Sequence, residues 1–363
     1  MNIQFCNLKS QYENYKDEID AAIQSVLDSS NFIMGQQVLE FEQALSDFTG
    51  AYAISCANGT DALMIALIAS GVGPGDEVIT TPFTFIATAE MIAHIGAKPV
   101  FVDIRENDFN IDVTKIEAAI TPKTKAIIPV SLYGQPSDMD TINEIAKKYG
   151  LKVIEDAAQS FGATYKGKRS CNLSELATTS FFPAKPLGCC GDGGAIFTSN
   201  PDLVDKIKSI RNHGQVKRYY HKYLGVNSRL DTIQAAILNV KLKYYEKEIE
   251  IRKKIADRYT SLLKNICVTP KIQNERTSVW AQYTIRVKNR DQVQEILKIK
   301  GIPTAVHYPR PLHLQEAFAF CDGKEGDFPV AEKMAGEVMS IPMSAYLTTE
   351  EQSYICNELI NLN

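Results

Sequence analysis

With 363 residues, 45% hydrophobic and 23% charged, the chain has apolar material for two packed domains and does not have the composition of a disordered or fibrous protein. A formal net charge of −4, with no Lys/Arg-rich block, argues against nucleic acid or an anionic membrane surface as partner. The first residues lack the basic start and apolar run of an export signal, and the eight cysteines show no paired spacing, so a reduced cytoplasmic protein without disulfides or a metal centre is expected.

The first thirty residues read as amphipathic helix, able to fold back on a C-terminal domain. The most apolar stretch, Ala62–Val72, is far too short to span a bilayer. From Phe41 to Ile196, short apolar runs alternate with helical patterns. Strands are expected at Glu77–Thr80, Pro99–Asp103, Ala126–Val130, Lys152–Asp156, Thr178–Phe182 and Gly194–Thr198. Several are continuously apolar, as in strands covered on both faces. Helices are expected between them at Thr60–Ser70, Thr84–Ile95 and Asp138–Lys148. After Asp231 a long helical pattern runs from Thr232 to about Lys264 through a charged middle, Lys241–Lys254. Shorter runs follow at Trp280–Val287 and Ala305–Tyr308, then helices at Val330–Val338 and Thr349–Leu362. The expectation is an α/β protein with a mostly parallel central sheet in a large domain, residues 1–240, and a smaller α+β domain, residues 241–363.

Four places carry candidate chemistry. Ser180-Phe181-Phe182-Pro183-Ala184-Lys185-Pro186-Leu187-Gly188, with Gly191-Asp192-Gly193-Gly194, sets a lysine in an apolar turn after a strand. Burial there would favour the neutral amine that condenses with an aldehyde, though by itself the segment reads equally as a surface loop. Glu155-Asp156-Ala157-Ala158-Gln159 ends a buried strand where open α/β sheets bind ligands. Asp156 could pair there with a protonated pyridine nitrogen or merely cap a helix, and Gln159 could donate to a ring phenolate. Asn58-Gly59-Thr60-Asp61 opens a helix whose free N–H groups suit a phosphate. Phe83-Thr84-Phe85 offers an aromatic that is either core or a platform for a ring. Vicinal Cys189 and Cys190 have no histidine or third cysteine nearby and read as small packing residues.

In this order these motifs resemble the signature of the DegT/DnrJ/EryC1/StrS sugar aminotransferases, and the resemblance continues into Gly225-Val226-Asn227-Ser228-Arg229-Leu230-Asp231 and His307-Tyr308-Pro309. It implies the fold type I aminotransferase fold, a homodimer with shared active sites, and pyridoxal 5'-phosphate as cofactor. It implies Lys185 as the Schiff-base lysine, Asp156 on the ring nitrogen, Gln159 near the phenolate oxygen and Phe85 against the ring. Gly59, Thr60 and Ser180 would hold the phosphate, with Asn227 reaching it from the neighbouring subunit. Arg229, His307 and Tyr308 match positions that meet the sugar nucleotide or the amino-acid co-substrate. The plainer reading of Arg229 is an ion pair with Asp231 or another carboxylate. A branch of the family has histidine at the lysine position and deoxygenates sugars; Lys185 here implies transamination.

Within the family the chain is most similar to a subgroup that aminates C3 of UDP-2-acetamido-2-deoxy-3-oxo-glucuronate, with L-glutamate as donor and 2-oxoglutarate as product. That subgroup serves bacterial surface polysaccharide. Its Gly-x-Tyr sugar-nucleotide contact is replaced here by Ser30-Asn31-Phe32, so Ser30 and Phe32 occupy that place without a phenol hydroxyl. The neighbouring expectations are therefore a 3-oxo-GlcNAc nucleotide, as for lipid A, and a dTDP-3-oxo-6-deoxyhexose. A non-enzymatic regulator on the same fold is the reading from a different class.

Overall fold

The computed structural model describes residues 3–362. Its centre is a seven-stranded sheet of β1 (Tyr52–Cys56), β2 (Glu77–Thr80), β3 (Lys98–Phe101), β4 (Thr124–Ile127), β5 (Lys152–Asp156), β6 (Leu176–Ser180) and β7 (Gly194–Thr198). The strands lie in the order β1-β7-β6-β5-β4-β2-β3. All neighbours are parallel except β7, which runs antiparallel to both β1 and β6. The helix Gly59–Ala69 covers one face, burying Ala62, Leu63, Ala66 and Leu67 against Ile54, Ile154 and Ile196. Leu45, Phe161 and Phe197 lie in a second cluster that continues onto the long helix Thr232–Leu263 through Leu238 and Tyr245.

That helix spans 32 residues, roughly 48 Å at 1.5 Å per residue. It leaves the sheet's core at Tyr245 and enters another at Ile255. The latter core joins Ile3, Tyr259 and Ile355 to an antiparallel pair, β8 (Tyr283–Arg286) and β9 (Val338–Ile341). The helix's charged middle is not all at the surface. Lys241, Glu248 and Arg252 are buried, with Glu248 accepting from Gln11, Tyr15 and Tyr346, and Arg252 donating to the Trp280 and Met343 carbonyls. Among the described residues no helix is long and apolar enough to cross a membrane.

Two of these nine strands have no counterpart in the sequence-based expectation. β1 reads Tyr-Ala-Ile-Ser-Cys, short and half composed of weak strand formers. β9 follows directly on the helix Pro329–Glu337, and its apolar run is indistinguishable from that helix's continuation. Of the two shorter runs, Trp280–Val287 contains β8, while Ala305–Tyr308 contributes an isolated bridge from Ala305 to Ser340.

Candidate functional site

Register brings the motifs to one edge of the sheet. Gly194, the first residue of β7, lies opposite both Cys56, the last of β1, and Ser180, the last of β6. The turn after β1, the Lys185 loop after β6 and the glycine run before β7 therefore meet. A Cβ on Gly194 would sit 2.4 Å from the Asn58 carbonyl carbon, and one on Gly59 would sit 2.7 Å from Ser180 Cβ. Neither position can carry a side chain without moving backbone. Asn58 caps the helix by accepting from the Asp61 N–H at 2.8 Å. That leaves the N–H groups of Gly59 and Thr60, both residues partly exposed, without a partner among the described residues, with Gly59 beside the Ser180 hydroxyl.

β5 ends one strand away, and Asp156 there is buried. Its Oδ2 accepts from the Thr88 hydroxyl at 2.7 Å and its Oδ1 from the Ala158 N–H at 3.1 Å. The second bond is a turn cap, but no helix begins there, so the plain N-cap reading does not describe this residue. Burial pushes the Asp156 carboxyl above the ordinary aspartate range, opposed by those two donors and by the Lys185 charge. Lys185 is half-buried, and among the described residues its amine bonds to no other side chain or carbonyl. Burial pushes its pKa down, with Asp156 opposing. An amine nearer neutrality and bonded to nothing is the form suited to condense with an aldehyde.

The far wall comes from the other end of the chain. His307 Nδ1 meets Ser340 Oγ at 2.9 Å, and burial, then the Lys185 charge, push the imidazole down to about 4, so it is neutral at pH 7. Tyr308 accepts from Gln159 Nε2 at 3.2 Å, while Gln159 Oε1 accepts from the Tyr133 N–H at 2.8 Å. The amide of Gln159 is thereby oriented with its nitrogen toward the site. Burial, and next the Asp156 charge, raise the Tyr308 phenol. Phe85 is 55% exposed, and its ring centroid lies 6.3 Å from that of Tyr308, leaving an uncovered aromatic face.

The remaining sequence candidates stand apart from this cluster. Arg229 pairs with no carboxylate among the described residues. Its guanidinium donates to Asn212 Oδ1 at 3.3 Å, which removes the ion pair with Asp231 as its explanation. Asn227 is exposed, whereas Ser228 between them is buried and accepts from the Ala57 N–H at 3.2 Å, tying their loop to the phosphate-type turn. Ser30 ends the helix Lys16–Ser29 in the left-handed region at φ 52°, and Phe32 is 44% exposed, its carbonyl accepting from the Thr232 N–H. Of the vicinal cysteines only Cys189 is packed; Cys190 is exposed. Sequence reasoning missed Thr88 and Tyr133. Neither carried a signal, because each reaches the site through a tertiary contact rather than a motif.

The donor set fits pyridoxal phosphate: a cup of free N–H groups that a Cβ would fill, a buried carboxylate for a pyridinium, an open aromatic face and an unbonded amine. The profile of the DegT/DnrJ/EryC1/StrS aminotransferase family matches residues 13–360. The UDP-2-acetamido-2-deoxy-3-oxo-D-glucuronate aminotransferase of Pseudomonas aeruginosa is 58% identical over 99% of this chain and 100% of its own. A pleiotropic regulatory protein of Geobacillus stearothermophilus is 52% identical, covering 99% of this chain and 98% of its own. The UDP-N-acetyl-3-dehydro-alpha-D-glucosamine 3-aminotransferase of Acidithiobacillus ferrooxidans is 42% identical over 96% and 95%. Among solved structures, a DegT DnrJ EryC1 StrS aminotransferase from Brucella abortus superposes with a TM-score of 0.97 at 41% identity, covering 99% of both chains. NtdA from Bacillus subtilis, with its bound cofactor PMP, gives 0.92 at 35%, covering 99% of this chain and 85% of that one.

Proposed function

The chain belongs to the DegT/DnrJ/EryC1/StrS aminotransferase family, with the fold type I architecture and pyridoxal phosphate chemistry of that family, and from this premise we propose that it moves the amino group of L-glutamate to C3 of UDP-2-acetamido-2-deoxy-3-oxo-D-glucuronate. The observation that carries the chemistry is the unbonded Lys185 amine, set in the field of Asp156 and next to a neutral His307. The choice of sugar is supported by the gap between 58% identity to the glucuronate enzyme and 42% to the glucosamine one. Bound in this site, pyridoxal phosphate supplies an aldehyde that captures amines and a ring that accepts the electron pair left when a Cα–H bond ionises.

The roles of the chain's own residues follow. Gly59, Thr60 and Ser180 hold the phosphate, with Phe85 and Gln159 fixing the ring's face and phenolate edge. Asp156 keeps the ring nitrogen protonated. Lys185 would carry the proton from the donor's Cα, and neutral His307 and Tyr308 would orient the substrate without adding charge. 2-Oxoglutarate leaves before the keto-sugar enters. The relative named as a regulator does not displace this reading, because every group that turnover requires is present in this chain. We place the reaction in the cytoplasm, on a route to bacterial surface polysaccharide or lipopolysaccharide; unspaced cysteines suit a reducing compartment. Incubation with glutamate and a panel of UDP- and dTDP-linked 3-oxo sugars should give the 3-amino glucuronate product by mass, with stoichiometric 2-oxoglutarate. Equal or faster amination of a dTDP-6-deoxy sugar would replace the substrate assignment.

The active form we propose is a homodimer whose sites are shared. The segment from Gln215 to Leu224 is a small hairpin with Val216, Tyr219, Tyr220 and Leu224 exposed, the last at 94%, and it leads directly to Asn227 and Arg229. Residues 1–240 would then hold the cofactor while 241–363 shape the substrate mouth. Lys185→Ala chains and Asn227→Ala/Arg229→Ala chains, each inactive, should complement when refolded together. Random pairing makes half the dimers mixed, each with one intact site of two, so recovery should approach about a quarter of wild-type activity. Proven mixed dimers without recovery would put both residues in their own subunit's site or outside catalysis.

A further inference from the structure

The long helix Thr232–Leu263 reaches the Lys185 loop with two polar side chains two turns apart. Gln234 bonds Cys190 twice: its Oε1 accepts from the Cys190 N–H at 2.9 Å, and its Nε2 donates to the Cys190 carbonyl at 3.2 Å. Lys241 Nζ donates to the Gly188 carbonyl at 2.7 Å. Positions seven apart share a helix face. Leu238, between them on that face, is buried in one cluster with Leu187 and Cys189. The loop is also tight within itself. Its Lys185 and Cys189 N–H groups bond the carbonyls of Phe182 and Phe181, both at 2.8 Å, and a Cβ on Gly188 would lie 2.4 Å from the Pro183 carbonyl oxygen.

Lys241 is the informative member of this arrangement. The residue is 6% exposed, no carboxylate lies within 4 Å of its amine among the described residues, and its one hydrogen bond goes to a carbonyl. A leucine there would have continued the apolar stripe from Leu238 to Tyr245 without the penalty of burying a cation. A costly donor aimed at one carbonyl is explained if that carbonyl's position matters. We propose that Gln234 and Lys241 are positioning residues that clamp the 188–190 end of the loop, so that Lys185 is presented at a fixed height above Asp156. This rests on Lys185 being the cofactor-bearing amine.

The test compares Lys241→Met, Lys241→Gln and Gln234→Leu with the wild type, as holoenzyme and as cofactor-free full chain. In the cofactor-free chain, hydrogen–deuterium exchange at the Lys185 and Cys189 amides should rise about tenfold or more in Lys241→Met, while the 255–263 end of the helix keeps its protection. In the holoenzyme, kcat should fall on the order of 10²-fold, as for a reacting group misplaced by about 1 Å, with KM for the keto-sugar held within about twofold. Lys241→Gln keeps an N–H donor and should restore most of both quantities. Wild-type exchange and turnover in Lys241→Met would overturn the proposal, and so would exchange raised equally throughout the chain, which marks lost packing rather than lost positioning. If Lys241→Met does not fold, Gln234→Leu, at the half-buried end of the clamp, reads the same two quantities. A wild-type holoenzyme lacking a visible cofactor band that Lys185→Ala removes would sink the lysine assignment and the clamp together. With that band present, unchanged variants sink the clamp alone.

Discussion

Lys185→Ala should abolish amino transfer while leaving a folded protein that still binds the cofactor. The amine bonds to nothing among the described residues, and the N–H of Lys185 that closes the loop on the Phe182 carbonyl is backbone, so alanine keeps the local structure. The phosphate cup at Gly59 and Thr60, the Phe85 face and Asp156 are equally untouched. What disappears is both the covalent anchor and the base that moves the Cα proton. Each is a positioned group whose loss ordinarily costs 10²-fold or more, so turnover should drop by at least about 10⁴-fold. Absorbance spectra should show pyridoxal phosphate held without its lysine-linked band, and dialysis should remove it faster than from wild type. Near-normal turnover in this variant would overturn the functional reading as a whole.

The parts of this site that were legible in the sequence lie at strand ends. Glu77–Thr80, Lys152–Asp156 and Gly194–Thr198 occupy the expected residues because each carries a β-branched or aromatic apolar pair, Val78-Ile79, Val153-Ile154 and Ile196-Phe197, between polar or small residues. Where the expected and observed strands differ, the cause is local. Ala126–Val130 moves back to Thr124–Ile127 because Pro129, with no N–H, cannot extend the ladder, although its carbonyl still accepts from Asp156. Asp156, Gly59 and Lys185 were visible because a carboxylate and a lysine at the ends of expected strands, with a glycine turn opening a helix, point one way together. Thr88, Tyr133, Gln234 and Lys241 were not. They come to the site from helix faces and turns whose orientation depends on packing, and a lysine in a charged helix reads as solvated until Gly188 is found beneath it. Arg229 is the reverse case: its sequence neighbour Asp231 offers an ion pair as the plainer reading, yet the guanidinium donates to Asn212 Oδ1 instead.

Asp156→Asn tests the other half of the chemistry and separates two roles of one residue. The amide is nearly isosteric and its oxygen can still accept from Ala158 or Thr88, so the turn should survive. The charge that holds a proton on the ring nitrogen is gone, and carbanion formation should slow by about 10²-fold or more, at least about 2.7 kcal/mol in the barrier. Both half-reactions should slow alike. Thr88→Val, which removes one donor but keeps the charge, should cost much less. Stability should move the other way. Burial raises the folded pKa of Asp156 above the unfolded value of about 3.9. Its contribution is thus fully present below the unfolded pKa and is lost as pH rises through the folded one. Above that window the cofactor-free wild type carries an ionised carboxylate in a buried place, and cofactor-free Asp156→Asn should melt at or above the wild-type temperature. A lower melting temperature with unchanged kcat would show Asp156 to be a turn cap and nothing more.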